Sequence, residues 1–136
     1  MKKAQVATEY LVIIAVGVAI LIPMIVYLND MYIAYKDESN VASAKTAAEK
    51  LASLTNWVYS QGKPAKVFTG VYLPNGIEEI ELENKTITFK MKTKSGIVDV
   101  TDETIANIAG SLPVIEGFYN VAIVAEEDFV NITVVR

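Results

Sequence analysis

The sequence predicts an α+β protein in which a long N-terminal helix is followed by a small antiparallel β-sheet or β-sandwich head. Three observations carry that reading. Residues 10–29 form an uncharged, apolar run. Apolar positions then recur every three or four residues as far as Val58, and from Lys66 onward the period changes to two. A period of about 3.6 keeps side chains on one helix face, whereas a period of two keeps them on one face of a strand.

A chain of 136 residues accommodates one modest domain and an appendage. Its hydrophobic fraction is 52%, with the excess concentrated in the first thirty residues. Net charge is −4, from 12 basic and 16 acidic residues, and no long basic block offers a nucleic-acid surface. Cysteine and histidine are both absent, which excludes disulfides, thiol chemistry, histidine-based triads and the usual zinc sites. The acidic clusters Asp99, Asp102, Glu103 and Glu126, Glu127, Asp128 lack the spacing of a calcium loop and read as strand ends and turns. The expectation is therefore no catalytic site, no metal and no cofactor.

The helix comes first. Roughly 20 apolar residues at about 1.5 Å each match a hydrocarbon core of about 30 Å. Lys2 and Lys3 precede the run and Asp30 follows it. That asymmetry places the N-terminus in the cytoplasm and the rest of the chain outside. A removable secretory signal has a shorter apolar core with a small-x-small site close behind. Here the nearest such site, Ala42-Ser43-Ala44, lies beyond Lys36, Asp37 and Glu38. A plain membrane anchor accounts for the length but not for Glu9, because a carboxylate in a membrane helix costs about 2.5–3.5 kcal/mol at the bilayer centre and less near an interface. Near a helix N-terminus the macrodipole offsets part of that cost, so Glu9 also reads as a cap of the first turn.

The stretch KKAQVATEYLVIIAVGVAILIP resembles the class III signal sequence of archaeal type IV pilins. Members of that family carry a short basic leader, a small residue, then Gln, with Glu four residues later and an apolar helix after it. The resemblance implies a leader over residues 1–4, with Ala4 as its last residue, Gln5 as the first mature residue and Glu9 as the fifth. Many members have Gly where this chain has Ala4. Further implications are processing by a prepilin peptidase, residence in the membrane before assembly, and polymerisation by a pilus assembly machinery into a helical homo-oligomeric filament at the cell surface, serving adhesion. After cleavage, Glu9 of one subunit would meet the new Gln5 ammonium of its neighbour. Ala7, Ala15, Gly17 and Ala19 would permit close helix packing, and Pro23 stands where bacterial type IV pilins also often carry a proline.

The helix is expected over 5–62, apolar over 10–29 and amphipathic over 30–60. Val41, Ala44, Ala48, Leu51 and Val58 form its apolar stripe, with a gap at Thr55. Pro23 removes one backbone donor and is expected to kink or loosen a turn. Gly62 and Pro64 mark the stop.

The head occupies 66–136. VFTGVYLPNG ends in a turn, and IEEIELENKTITFKMKTKSG alternates on both sides of Asn84-Lys85. A two-residue loop there pairs Leu82 with Ile87, Ile80 with Phe89, and Glu79 with Lys90, with Glu81 diagonal to Lys90. SGIVDV supplies another strand, and Thr101 to Gly117 read as a loop with at most one helical turn. FYNVAIVAEEDFVNITVV closes the domain as a hairpin turned at Glu126-Glu127-Asp128. The stretch VYLPNGIEEIELENKTITFK, with GSLP further on, also resembles the heads of many euryarchaeal class III pilins, more loosely than the N-terminus does. Two sequons, Asn84-Lys85-Thr86 and Asn131-Ile132-Thr133, suit N-glycosylation of an exported domain, and both asparagines are expected to face solvent.

The leading expectation is a filament subunit. The alternatives are a membrane-anchored surface domain that never polymerises, and a minor-pilin or archaellin-like subunit.

Overall fold

The computed structural model describes residues 1–135. It divides the chain into two compact units, Met1–Lys36 and Asp37–Arg136. One helix, α1 (Lys2–Gln61), supplies all of the first unit's regular structure and the opening of the second. The helix continues through Pro23. Neighbouring helical bonds tolerate the single missing donor. α1 ends as predicted: Gly62 takes a φ of 74°, a left-handed geometry that suits glycine, and its N–H donates to the Tyr59 carbonyl.

In the second unit α1 buries one face beneath seven strands: β1 (Lys66–Leu73), β2 (Ile77–Glu83), β3 (Thr86–Thr93), β4 (Gly96–Glu103), β5 (Asn107–Ser111), β6 (Gly117–Ala125) and β7 (Phe129–Val135). They form two sheets, a four-stranded one in the order β1-β6-β7-β5 and a three-stranded one in the order β2-β3-β4. The buried stripe of α1 comprises Ala44, Ala47, Ala48, Leu51, Ala52, Thr55 and Val58. Its four alanines allow close approach of the strands, while Leu51 and Val58 fill the space beside Phe89, Leu73, Ile123 and Ile132 in one continuous core. Thr55 does not interrupt the stripe. It is fully buried, and its Oγ1 has no hydrogen-bond partner, so its methyl group serves as core surface.

Polar contacts tie α1 to both sheets. The Asp37 carboxylate accepts from the Lys94 backbone N–H at 2.7 Å, and Asn56 Oδ1 accepts from the Ile105 N–H at 2.8 Å. Lys50 Nζ donates to the Gly70 carbonyl at 2.6 Å, occupying an acceptor on edge strand β1.

The predicted β2–β3 register is the observed one: Leu82 faces Ile87, Ile80 faces Phe89 and Glu79 faces Lys90. Lys90 Nζ reaches Glu79 at 3.0 Å and also bonds Glu81. Hydrogen bonds to Glu81 first, and then to Glu79, hold the Lys90 ammonium well above its ordinary titration range. The hairpin turns on Asn84, whose φ of 53° is left-handed and is better tolerated by asparagine than by most residues.

The segment Thr101–Gly117 departs from expectation. It is not a loop with a helical turn: β4 continues to Glu103, and Asn107–Ser111 form β5, an edge strand parallel to β7. The head is therefore not wholly antiparallel. β5 is short, and Ile108 is its one large apolar residue, so alternation gives no signal there. Gly110 explains how it fits. Its φ is 140°, and a Cβ at that position would collide with the Ile132 backbone carbonyl. Gly110→Ala is accordingly expected to cost about 3 kcal/mol or more, from backbone strain plus overpacking. The adjacent exposed Ser111→Ala should stay within about 0.5 kcal/mol. Thermal unfolding of the two variants in detergent checks the contrast.

Candidate functional site

The functional candidates from the sequence fall in two places, the first turns of α1 and the surface of the head. At the start of α1, Gln5 N–H and Ala4 N–H both donate to the Met1 carbonyl, at 3.3 and 3.2 Å. Thr8 Oγ1 donates to the Ala4 carbonyl at 2.8 Å. The Ala4–Gln5 peptide therefore lies in the first helical turn, where few bonds resist fraying. Sequence reasoning missed Thr8, although a hydroxyl four residues after a carbonyl is a recurrent helix pattern.

Glu9 lies one turn beyond Gln5. At about 100° per residue, Gln5, Glu9 and Ile13 share a helix face. Thr8, Glu9, Val12 and Ile13 line a shallow hollow on the helix surface. The small residues do not form a single stripe. Ala15 and Ala19 are neighbours one turn apart, whereas Gly17 lies on the opposite side and Ala7 lies across from Glu9. Close approach is thus available on more than one side of the helix, which suits a helix surrounded by several neighbours rather than paired with one.

Beyond Glu9, α1 is long and apolar enough to cross a membrane. Its most apolar 18-residue window has a mean hydropathy of 2.9, and none of that window is buried within the chain. Tyr27, Tyr32 and Tyr35 are exposed at the end of this stretch, where aromatic rings suit an interface between apolar and aqueous surroundings.

On the head, strand alternation disperses one acidic cluster: Asp99 and Glu103 share a face of β4, and Asp102 points the other way with its carboxylate accepting from the Glu103 N–H. In the closing hairpin, Glu126 and Glu127 flank Lys63 at 3.8 and 3.6 Å, which accounts for them as turn residues. Among the described residues, no three His, Cys, Asp or Glu side chains converge as a metal site.

The outer faces of the two sheets differ in chemistry. The three-stranded sheet presents Glu79, Glu81, Glu83, Lys90, Asp99 and Glu103. The four-stranded sheet presents Phe68 and Phe118, 62% and 73% exposed, with Tyr72, Asn120 and Thr133 around them. The Phe118 ring covers Gly70 on the neighbouring strand. Tyr72 donates its hydroxyl to Glu116 at 2.9 Å, and this bond raises the phenol's pKa above its ordinary value. Sequence reasoning did not single out these aromatics, because the alternating positions of β1 are apolar on both faces. The sequons also separate: Asn84 is exposed, whereas Asn131, on the strand face opposite buried Val130 and Ile132, is half-buried. It lies between β5 and β6, opposite Ala109 and Val124.

Comparison of the chain with protein-family models, with curated proteins and with solved structures finds no match.

Proposed function

We propose that the chain is the precursor of a structural filament subunit, a pilin of the archaeal type IV kind, anchored in the membrane by α1 until a peptidase removes residues 1–4. One observation carries the reading. Among the described residues, the helical span from Tyr10 to Leu28 is apolar and exposed on all sides, and Glu9 stands at its start. Lipid covers such a surface before assembly. In water outside the cell it would need other copies of the same helix.

Lipid tails are as apolar as the helix, so burial alone does not drive extraction. Close packing at Ala7, Ala15, Gly17 and Ala19, a Glu9–ammonium contact between neighbours, and work by an assembly machine supply the difference. A head-to-tail contact that does not close on itself extends as a filament rather than a ring. Adhesion belongs to the head, which such a filament carries on its outside.

Electron microscopy of native cells, with an antibody raised against the head, separates this proposal from a membrane-anchored domain that never polymerises. Labelled filaments projecting from the surface are expected. Label confined to the cell body would favour the anchored domain.

A further inference from the structure

The two sequons are equivalent in sequence, but their folded environments are not. N-glycosylation needs an asparagine carboxamide that can leave the protein surface, and a hydroxyl two residues later presented beside it. At Asn84-Lys85-Thr86 the first two residues are exposed in a two-residue turn with a left-handed Asn84, and only Thr86 belongs to a strand. The backbone of this tip is held independently of its side chains: the Asn84 carbonyl accepts from the Ile108 N–H at 2.6 Å, and the Lys85 carbonyl accepts from the Thr104 N–H at 2.7 Å. The Asn84 side chain itself is exposed on this turn.

At Asn131-Ile132-Thr133 all three residues are paired on both sides, to β6 and to β5. Ile132 is fully buried in the core. Raising Asn131 into an enzyme's active site would require unzipping β7 from the middle of its sheet and withdrawing Ile132 from the core.

We propose that the folded head is N-glycosylated at Asn84 and not at Asn131. The donor is an oligosaccharide on a lipid phosphate or pyrophosphate carrier. The bond formed joins the sugar's anomeric carbon to Asn84 Nδ2. The anomeric carbon–oxygen bond breaks, the lipid-linked phosphate leaves with the electron pair, and one carboxamide proton passes to solvent. Placed at Asn84, the glycan stands on the turn that joins β2 to β3. This inference rests on the export of the head that the proposed function requires.

The test is site-mapped mass spectrometry of the full chain recovered from its native cells, together with Asn84→Gln, Thr86→Val and Thr86→Ser. Thr86→Val keeps a β-branched strand residue while removing the hydroxyl, and Thr86→Ser restores the hydroxyl. Expected results are a glycopeptide at Asn84, an unmodified peptide at Asn131, complete loss of the added mass in Asn84→Gln and Thr86→Val, and its retention in Thr86→Ser. An unmodified Asn84 or an occupied Asn131 overturns the proposal. Protease added to intact cells distinguishes the cause of an unmodified chain: a digested head was exported and the site assignment failed, whereas a protected head was never exported and the localisation failed with it.

Discussion

Glu9→Leu is expected to leave membrane insertion and leader cleavage intact and to abolish filaments. Leucine is at home in lipid, and removing the carboxylate lifts its desolvation cost, so the precursor gains rather than loses membrane stability. The penalty comes at assembly. An incoming subunit would bury the Gln5 ammonium of its neighbour without a counter-charge, and leaving one member of a buried pair unpaired costs about 3–5 kcal/mol. The expected phenotype is processed subunit accumulating in the membrane fraction, with few or no filaments in the sheared fraction. If Glu9 acts only as a cap on the first turn, filament yield stays at the parental level, and immunoblots of the two fractions tell these outcomes apart.

Phe89→Ala should be the most damaging of the simple truncations in the head. Its ring is fully buried at the centre of β3, next to Ile87 and Met91 on the same face. Losing that ring costs about 3–5 kcal/mol through lost transfer energy and the cavity left behind. The next residue points the other way: Lys90 faces water and holds Glu79 and Glu81. Lys90→Glu sets a carboxylate beside those two and opposite Asp99, yet the repulsion acts through solvent and is screened. Its loss of melting temperature should be much smaller than that of Phe89→Ala and should shrink as salt is added. The Phe89→Ala loss should not shrink in this way. Equal losses for the two variants would mean that the β3 register is wrong.

These two predictions draw on the parts of the molecule that periodicity makes legible. The β2–β3 pairing was readable because hydrophobic alternation and charge complementarity select the same register, so a slip of one residue would violate both. The α1 stripe was readable for a similar reason, since Val41 to Val58 repeat at helical spacing. β5 was not readable. It is five residues long, carries one large buried side chain and pairs in parallel with a strand far along the chain. Only Gly110 hinted at a close backbone approach. Thr55 misled through its residue type, because a threonine can bury its methyl group at the expense of its hydroxyl. Alternation gave the strand face of Asn131 but not its degree of exposure, because Val124 and Ala109 flank it on neighbouring strands. Sequence placed Gln5, Glu9 and Ala4 as a motif, while the structure adds the helix face that Gln5 and Glu9 share and the Thr8 bond to the Ala4 carbonyl.

The central claim is that this chain is cut before Gln5 and then polymerised. Intact-mass measurement of the chain in filaments sheared from native cells tests both halves at once. The expected chain begins at Gln5 and lacks Met1, Lys2, Lys3 and Ala4. A chain retaining Met1 in that fraction, or its complete absence from sheared filaments while it is abundant in membranes, would contradict it.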